Sequence, residues 1–82
     1  MIDSIVAAKK CRNYLGNELN DYVELGQPKA ENRYYAWRIP LRDCDGRRLG
    51  EVFVGYQDFT GVIAAYSTSL EKIKERLNSG EL

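Results

Sequence analysis

The sequence predicts an α+β domain in which an N-terminal helix packs on a three- or four-stranded antiparallel meander sheet, with a short C-terminal helix after the sheet. Apolar residues recur at helical spacing near both ends of the chain, and apolar and polar residues alternate between them. Short turns rich in Asp, Gly and Thr separate the alternating segments. Strands joined by tight turns, with helices at the chain ends, are typical of two-layer α+β domains. No linker or repeat divides the 82 residues, which indicates a single domain over 1–82.

The first helix is predicted to begin at Asp3 or Ser4, since either side chain can accept a free amide hydrogen of the first turn. Gly16 is predicted to end it, because glycine adopts a positive φ at little steric cost. The apolar stripe consists of Ile5, Ala8, Cys11 and Leu15. The helix is therefore amphipathic and covers one face of the sheet.

A short edge strand over 21–25 is predicted to precede the clearest strand of the chain. It stops at the turn 26–28, and a polar run over 29–32 follows. In the next strand, alternation places on one face Tyr35, Trp37, Ile39 and Leu41. The opposite face carries Tyr34, Ala36, Arg38, Pro40 and Arg42.

A hairpin turn over 43–46 leads into a strand over 49–56, because Asp side chains and Gly46 favour a turn there. One face of this strand carries Val52, Val54 and Tyr56, and the other carries Leu49, Glu51 and Phe53. A second turn over 58–61 leads to a last predicted strand over 62–66. Pairing Gln57 with Val62 places Ile63 and Ala65 beside Tyr56 and Val54.

The C-terminal helix is predicted from its start signal and its apolar spacing. The segment Thr68-Ser69-Leu70-Glu71 has the spacing of a capping box. The apolar stripe consists of Leu70, Ile73 and Leu77, and the helix is predicted to stop at 78–80.

The face of the sheet turned away from the first helix is more apolar than expected, because a one-sided antiparallel sheet normally has polar residues there. It carries Tyr34, Ala36, Leu49, Phe53, Val62, Ala64 and Tyr66. Either the C-terminal helix covers part of this face or another chain does, and the two are not exclusive. We therefore expect a protein partner or a homodimer. The predicted binding residues are the aromatic anchors Tyr34, Phe53 and Tyr66 and the orienting arginines Arg38 and Arg42.

One combination of segments is found between residues 4 and 66: a helix with small residues at Ala7, Ala8 and Cys11, an aromatic strand over 35–39, the Asp45-Gly46 hairpin, and an apolar hairpin over 51–63 that contains Thr60-Gly61. This combination resembles a PepSY-type domain, whose repeat unit is a helix followed by an antiparallel meander. The resemblance implies protease inhibition, or the regulation or chaperoning of another protein. The chain departs from the family pattern because no signal peptide or membrane anchor is predicted from its sequence and because a capped helix is predicted to follow the meander. It is also similar to some small immunity proteins of bacterial toxin systems, and neither family supplies a catalytic residue.

The charge composition argues against several classes of function. Twelve basic residues balance 12 acidic residues, and the pI is near 6.2, which removes the bulk attraction to nucleic acids and anionic membranes. The chain has no His, the commonest general base and metal ligand. Arginines concentrate in the hairpin 33–48, so a nucleic-acid-associated protein remains the alternative function. Acidic residues lie among these arginines, which favours a protein partner.

The remaining reactive residues predict no catalysis. Cys11 lies on an apolar stripe, where a free Cys packs as a small hydrophobe. Cys44 lies between two Asp residues, whose negative charge opposes a thiolate. The acidic residues around Gly46 lack the ligand spacing of a calcium loop. We therefore expect no enzymatic activity, no metal and no cofactor.

The sequence also predicts where the chain resides. Only the four apolar residues 5–8 precede Lys9, and no segment approaches the roughly 18 apolar residues of a membrane span. Two cysteines are too few for the disulfide framework of a secreted scaffold. We expect a soluble, cytoplasmic chain with no membrane partner.

Overall fold

Two helices and an antiparallel sheet make up the computed structural model, which describes residues 1–57 and 60–79. The elements in chain order are α1 (Ser4–Asn20), β1 (Glu24–Leu25), β2 (Lys29–Glu31), β3 (Ala36–Arg42), β4 (Arg48–Gly55) and α2 (Leu70–Ser79). The predicted α+β class and the order of helix, antiparallel strands and helix are confirmed. Part of the turn predicted over 58–61, and the end of the stop signal over 78–80, lie outside the described residues. In the described part of the chain, neither helix has the length and apolarity that crossing a membrane requires.

Helix α1 begins as predicted and continues past the predicted end. The Asp3 carboxylate accepts the Val6 N–H at 2.9 Å and so caps the first turn. Gly16 has a φ of 80°, which interrupts the helical backbone, but the chain then resumes a helical course to Asn20. The Asn20 amide donates to the Arg12 carbonyl at 2.8 Å, near the end of the first helical piece. The resumed piece buries Leu19.

The buried stripe of α1 differs in phase from the prediction. It consists of Ala7, Cys11, Leu15 and Leu19, which recur at four-residue spacing. Ile5 was predicted in the stripe, which is wrong, since Ile5 is 69% exposed. The spacing of Cys11 and Leu15 is compatible with either Ala7 or Ala8 one turn earlier, and the pattern alone does not choose between them.

Strand β3 is the centre of the sheet. It pairs with β4 on one side, and on the other side it pairs with β2 along its first half and β1 along its second half. Gly26 continues the β1 pairing by donating to the Pro40 carbonyl at 2.7 Å, and Pro28 lies where the pairing is interrupted. The predicted polar run over 29–32 therefore contains strand β2, and β1 is shorter than the predicted 21–25.

A bulge at the start of β4 changes the face on which Leu49 lies. Leu41 pairs with Gly50 and Arg42 pairs with Arg48, so Leu49 has no partner on β3. Leu49 is fully buried in the helix-covered core. The prediction that Leu49 shares the face of Phe53 is therefore wrong, because one extra residue reverses the alternation at that point.

The segment 61–68 follows the free edge of β4 without forming the strand predicted over 62–66. The segment forms one isolated β-bridge with β4, between Ile63 and Val54. The predicted register pairs Ile63 with Tyr56, so the observed pairing is shifted by two residues. Side-chain hydroxyls continue the edge pairing: Ser67 Oγ accepts the Phe53 N–H at 2.9 Å, and Thr68 Oγ1 accepts the Glu51 N–H at 3.0 Å. Ile63 packs against the core as predicted, but Ala65 is exposed because the chain turns there.

Helix α2 has the predicted stripe and a cap one residue later than the capping box implies. Ser69 Oγ accepts the Lys72 N–H at 3.2 Å, while the Thr68 hydroxyl binds β4 instead. Ile73 is fully buried, and Leu70 and Leu77 pack against the same core as α1. Because the whole stripe of α2 joins that core, this helix leaves the opposite face of the sheet uncovered.

The two faces of the sheet are therefore different in kind. The inner face, which both helices cover, contributes Ile39, Leu41, Val52 and Val54 to the core. The outer face carries Phe53 and Ala36, which are buried but lie outside that core.

Candidate functional site

Three aromatic residues of the outer face form one cluster, which we call the aromatic cluster: Tyr34, Phe53 and Tyr66. The ring centroids of Phe53 and Tyr66 are 4.9 Å apart, those of Tyr34 and Tyr66 are 5.4 Å apart, and those of Tyr34 and Phe53 are 5.8 Å apart. Phe53 is only 7% exposed, whereas Tyr34 and Tyr66 are 48% and 55% exposed. The two tyrosine rings thus shield Phe53 and present their own surface to solvent.

Three separate segments position these rings. Phe53 lies on β4, where its N–H and carbonyl are both bound by the segment 61–68. Tyr34 lies in the turn between β2 and β3, where its N–H donates to the Glu31 carbonyl at 3.0 Å. Tyr66 lies in a turn closed by the bond from the Ser67 N–H to the Ala64 carbonyl, also at 3.0 Å. Edge-to-face and tilted aromatic contacts at these distances contribute about 0.5–1.5 kcal/mol per pair beyond area burial.

A shallow cleft of about 260 Å³ opens beside the aromatic cluster. Its described lining consists of Tyr34, Tyr35, Ala36, Gly55, Gln57, Val62, Ala64 and Tyr66. Small residues from β3, β4 and the segment 61–68 lie among larger exposed ones, of which Val62 is 63% exposed. No described lining residue carries a charge.

Tyr35 also lines the cleft, which the sequence did not predict. The alternation assigned its side chain to the inner face with Trp37, and both rings meet the ring of Tyr56, although Tyr35 lies in the turn before β3 and is 55% exposed. Its φ of 51° is unusual for a bulky residue. Its ring meets Tyr56 edge-on at 6.5 Å, and the Tyr56 hydroxyl donates to Asn32 Oδ1 at 2.8 Å. Asn32, a common turn residue, was the available signal that the strand begins later.

Arg38 lies next to Phe53 in a row of charges on the outer face. Its guanidinium contacts Glu31 on β2 at 2.8 Å and Glu51 on β4 at 3.4 Å. Glu51 also contacts Arg48 at 2.8 Å. Hydrogen bonds from Arg38 to Glu31 first, and to Glu51 second, raise the pKa of Arg38. We call Glu31, Arg38, Glu51 and Arg48 the charge row, and its formal charges cancel.

The structure separates Arg42 from the aromatic cluster. Arg38 is in register with Phe53, and Arg42 follows four residues further along β3, about 13 Å away at the usual rise of a strand. Arg42 is exposed, and no ion pair is found for it among residues 1–57 and 60–79. Of the five predicted binding residues, four are therefore brought together and Arg42 is not.

Most arginines of the hairpin 33–48 have protein partners. Arg38 and Arg48 belong to the charge row, and Arg47 contacts the Asp43 carboxylate at 3.3 Å and donates to the Arg76 carbonyl. Asp43 also accepts the N–H groups of Asp45 and Arg47, which fixes the predicted turn over 43–46. A nucleic-acid surface would require these arginines to exchange their present partners for phosphates.

The two cysteines differ in environment. Cys11 is fully buried, and burial raises the pKa of its thiol to about 12, with a smaller opposing effect from the Arg12 guanidinium. Cys44 is exposed in the hairpin turn, and both thiols are free. Within the described part of the chain, no group of three or more side chains is arranged to hold a metal ion.

Comparison of the chain with protein-family models, with curated proteins and with solved structures finds no match in any of the three.

Proposed function

We propose that this chain is a non-enzymatic protein-interaction domain, a small inhibitor, immunity-type or adaptor protein that acts by occupying a partner's surface. The observation that supports the proposal is the aromatic cluster: two half-exposed tyrosines surround a buried phenylalanine on the one sheet face that neither helix covers. Tyrosine rings supply large contact area with little loss of side-chain freedom, and they are enriched among the residues that dominate binding energy.

The charge row supports a protein partner over a nucleic acid. Its two arginines and two glutamates already pair with each other, so the row orients a partner without attracting polyanions. The resemblance to PepSY-type domains and to immunity proteins implies the same kind of activity. The two free cysteines favour a reducing compartment, and we place the activity in the cytoplasm as part of the proposal.

The test compares three proteins in capture from an extract of cells that naturally contain the chain, together with sedimentation of each pure protein. They are the wild type, the double variant Tyr34→Asp with Tyr66→Asp, and the control Tyr22→Asp, whose tyrosine is 59% exposed outside the aromatic cluster. We expect a discrete partner, or self-association, that the double variant loses and the control retains. A monomeric wild type that captures the same proteins as the double variant would refute the proposal.

A further inference from the structure

The edges of the sheet are poorly suited to pairing with another chain. On β4, the Phe53 N–H donates to Ser67 Oγ at 2.9 Å. The Gly55 N–H donates to the Val62 carbonyl, also at 2.9 Å. The strands on the other side of β3 are only two and three residues long. Because strand addition needs a run of unpaired N–H and C=O groups, we expect a partner on the outer face instead, which neither helix covers.

The charge row crosses the outer face and alternates in sign. Its order in space is Glu31, Arg38, Glu51 and Arg48, because its three ion pairs join successive members at 2.8, 3.4 and 2.8 Å. The four side chains keep between 27% and 60% of their surface exposed, so the row also presents charge to solvent. An alternating row of four charges, when turned end to end, places a cation opposite every carboxylate. The row is therefore complementary to a second copy of itself.

The strand register places Phe53 at the centre of such a pairing. Arg38 pairs with Phe53, and Pro40 pairs with Glu51, so these four residues form the corners of a quadrilateral on the outer face. One diagonal joins Arg38 to Glu51, which is the middle of the charge row, and the other joins Phe53 to Pro40. A two-fold axis near the second diagonal brings Arg38 against Glu51 of a second copy, and it brings the end members of the row together in the same way.

The aromatic cluster lies beside this axis and meets its own copy. Phe53 is shielded by Tyr34 and Tyr66, which are 48% and 55% exposed. Within one chain the three rings pack edge-on or tilted, with centroids 4.9 to 5.8 Å apart. Aromatic rings attract one another in the same geometries across an interface, and residues near a two-fold axis face their own copies. The cluster therefore supplies an aromatic centre for the contact.

Three further charges of the outer face lie away from the axis. Lys29 is in register with Arg38 on β2, and Arg42 is in register with Glu24 on β1. Lys29, Arg42 and Glu24 are exposed and lie on the side of the row opposite to Phe53. They form the rim of the contact, where solvent and salt screen the charges of two copies from each other.

We propose that the occupant of the outer face is a second copy of this chain, bound face to face about a two-fold axis, an inference that rests on the proposed function above. In this dimer each Glu31 meets Arg48 of the second copy, and the central members of the two rows meet likewise, so that every carboxylate of the row lies beside arginines of both chains. The two aromatic clusters pack against each other next to the rows. A different protein would have to supply a matching alternating row, which this chain already carries.

The test is sedimentation equilibrium of the wild type and of two charge reversals at the ends of the row, Arg48→Glu and Glu31→Arg. We expect the wild type to dimerise with a Kd of about 100 μM or tighter. Each variant alone places like charges opposite each other and is expected to weaken dimerisation at least about tenfold. An equimolar mixture places the new carboxylate opposite the new guanidinium, so association should return to within about threefold of the wild type.

Two matched controls reverse exposed charges on α2, which lies on the other side of the sheet: Lys72→Glu and Glu75→Arg. Both are expected to dimerise as the wild type does. Circular dichroism checks that every variant is folded. Should a reversal at the row unfold the chain, Arg48→Gln and Glu31→Gln remove one charge without reversing it, and each should weaken dimerisation about threefold or more.

Three results would overturn the inference: a wild type that stays monomeric up to about 1 mM, row variants that dimerise as the wild type does, or a mixture that associates no better than either variant alone. Equal weakening by the α2 controls would also overturn it. If the double variant at positions 34 and 66 loses a captured partner while the pure wild type stays monomeric, the proposed function stands and only this inference fails. If there is neither a captured partner nor self-association, both fail.

Discussion

The inner and outer faces of the same sheet are covered by different kinds of contact. On β3, Ile39 points to the inner face and is fully buried, while its neighbour Arg38 points outward into ion pairs. On β4, Val52 and Val54 are buried under the two helices, while Phe53 between them is shielded by the two tyrosine rings of the aromatic cluster. Aliphatic packing on the inner face stabilises the fold, whereas the outer face keeps exposed rings and balanced charges. We therefore expect inner substitutions to lower stability and outer substitutions to lower binding.

The largest expected effect comes from removing Trp37 from the inner face. Its ring packs against the core and Tyr56, and its Nε1–H donates to the Ile2 carbonyl at 3.0 Å. Trp37→Ala is expected to lower the free energy of unfolding by about 3 kcal/mol or more, a large part of the total for so small a domain. Urea unfolding of the wild type and the variant measures this loss. The matched outer variant, Tyr34→Ala, removes two ring pairs of about 0.5–1.5 kcal/mol each and is expected to cost about 1–3 kcal/mol, less than Trp37→Ala. Equal losses would erase the contrast between the faces.

The buried thiol of α1 gives the inner face a specific alkaline sensitivity. The pKa of a Cys thiol in an unfolded chain is about 8.5. Burial raises the pKa of Cys11 in the folded protein to about 12. Below the unfolded pKa, both the folded and the unfolded protein keep the proton, so Cys11 adds no pH dependence. Between the unfolded and the folded pKa, only the unfolded protein loses the proton, so the free energy of unfolding falls by about 1.4 kcal/mol per pH unit.

The measurement is urea unfolding at pH 8 and pH 10 of the wild type and of Cys11→Ala, with Cys44→Ser in both backgrounds. Between the two pH values, the stability advantage of the protein with Cys11 should shrink by about 2 kcal/mol. If the advantage is the same at both pH values, the thiol ionises as easily in the folded protein as in the unfolded protein.

Tyr35 sharpens the comparison because its ring meets Tyr56 although its side chain is 55% exposed. Tyr35→Asn relieves the strain of a bulky residue at positive φ and loses the contact with Tyr56, so stability should stay within about 1 kcal/mol of wild type. Thermal unfolding of the wild type and the variant measures the difference. A variant that unfolds readily would show that the ring serves the fold.

The smallest expected effect concerns nucleic acids. Because Arg38, Arg47 and Arg48 pair with carboxylates, any binding to DNA or RNA should be weak and lost near physiological salt. Fluorescence anisotropy of a labelled oligonucleotide across a salt series measures it, with Arg38→Ala and Arg42→Ala as the variants. Submicromolar binding at physiological salt that these two substitutions abolish would favour the nucleic-acid alternative.

Alternation predicted most of the fold and the aromatic cluster, because a regular strand places every second residue on one face. That parity was sufficient for Phe53 on β4. Tyr34 and Tyr66 also reached the predicted face, although neither lies in a strand. The errors lie where the backbone departs from regularity. The bulge at Leu49 reverses parity without any signal in the hydrophobic pattern.

The turn at Tyr35 and the course of the segment 61–68 were not predicted, for a related reason. A bulky residue at positive φ contradicts local preference, so the preferences of Tyr35 itself give no sign of the turn that contains it. Along β4, hydroxyls of Ser67 and Thr68 replace backbone partners, and side-chain bonds of this kind leave no periodic pattern in a sequence. The cleft depends on both features, so the sequence did not predict it.

The closure of the β4 edge by the segment 61–68 bears on aggregation. Exposed strand edges template the growth of fibrils, and proteins protect them with coverings, prolines, lysines and irregular pairing. Here hydroxyls and backbone groups cover one edge, and at the other edge Pro28 interrupts the pairing next to Lys29. Both edges of the described sheet thus carry features that oppose the templated growth of an extended sheet.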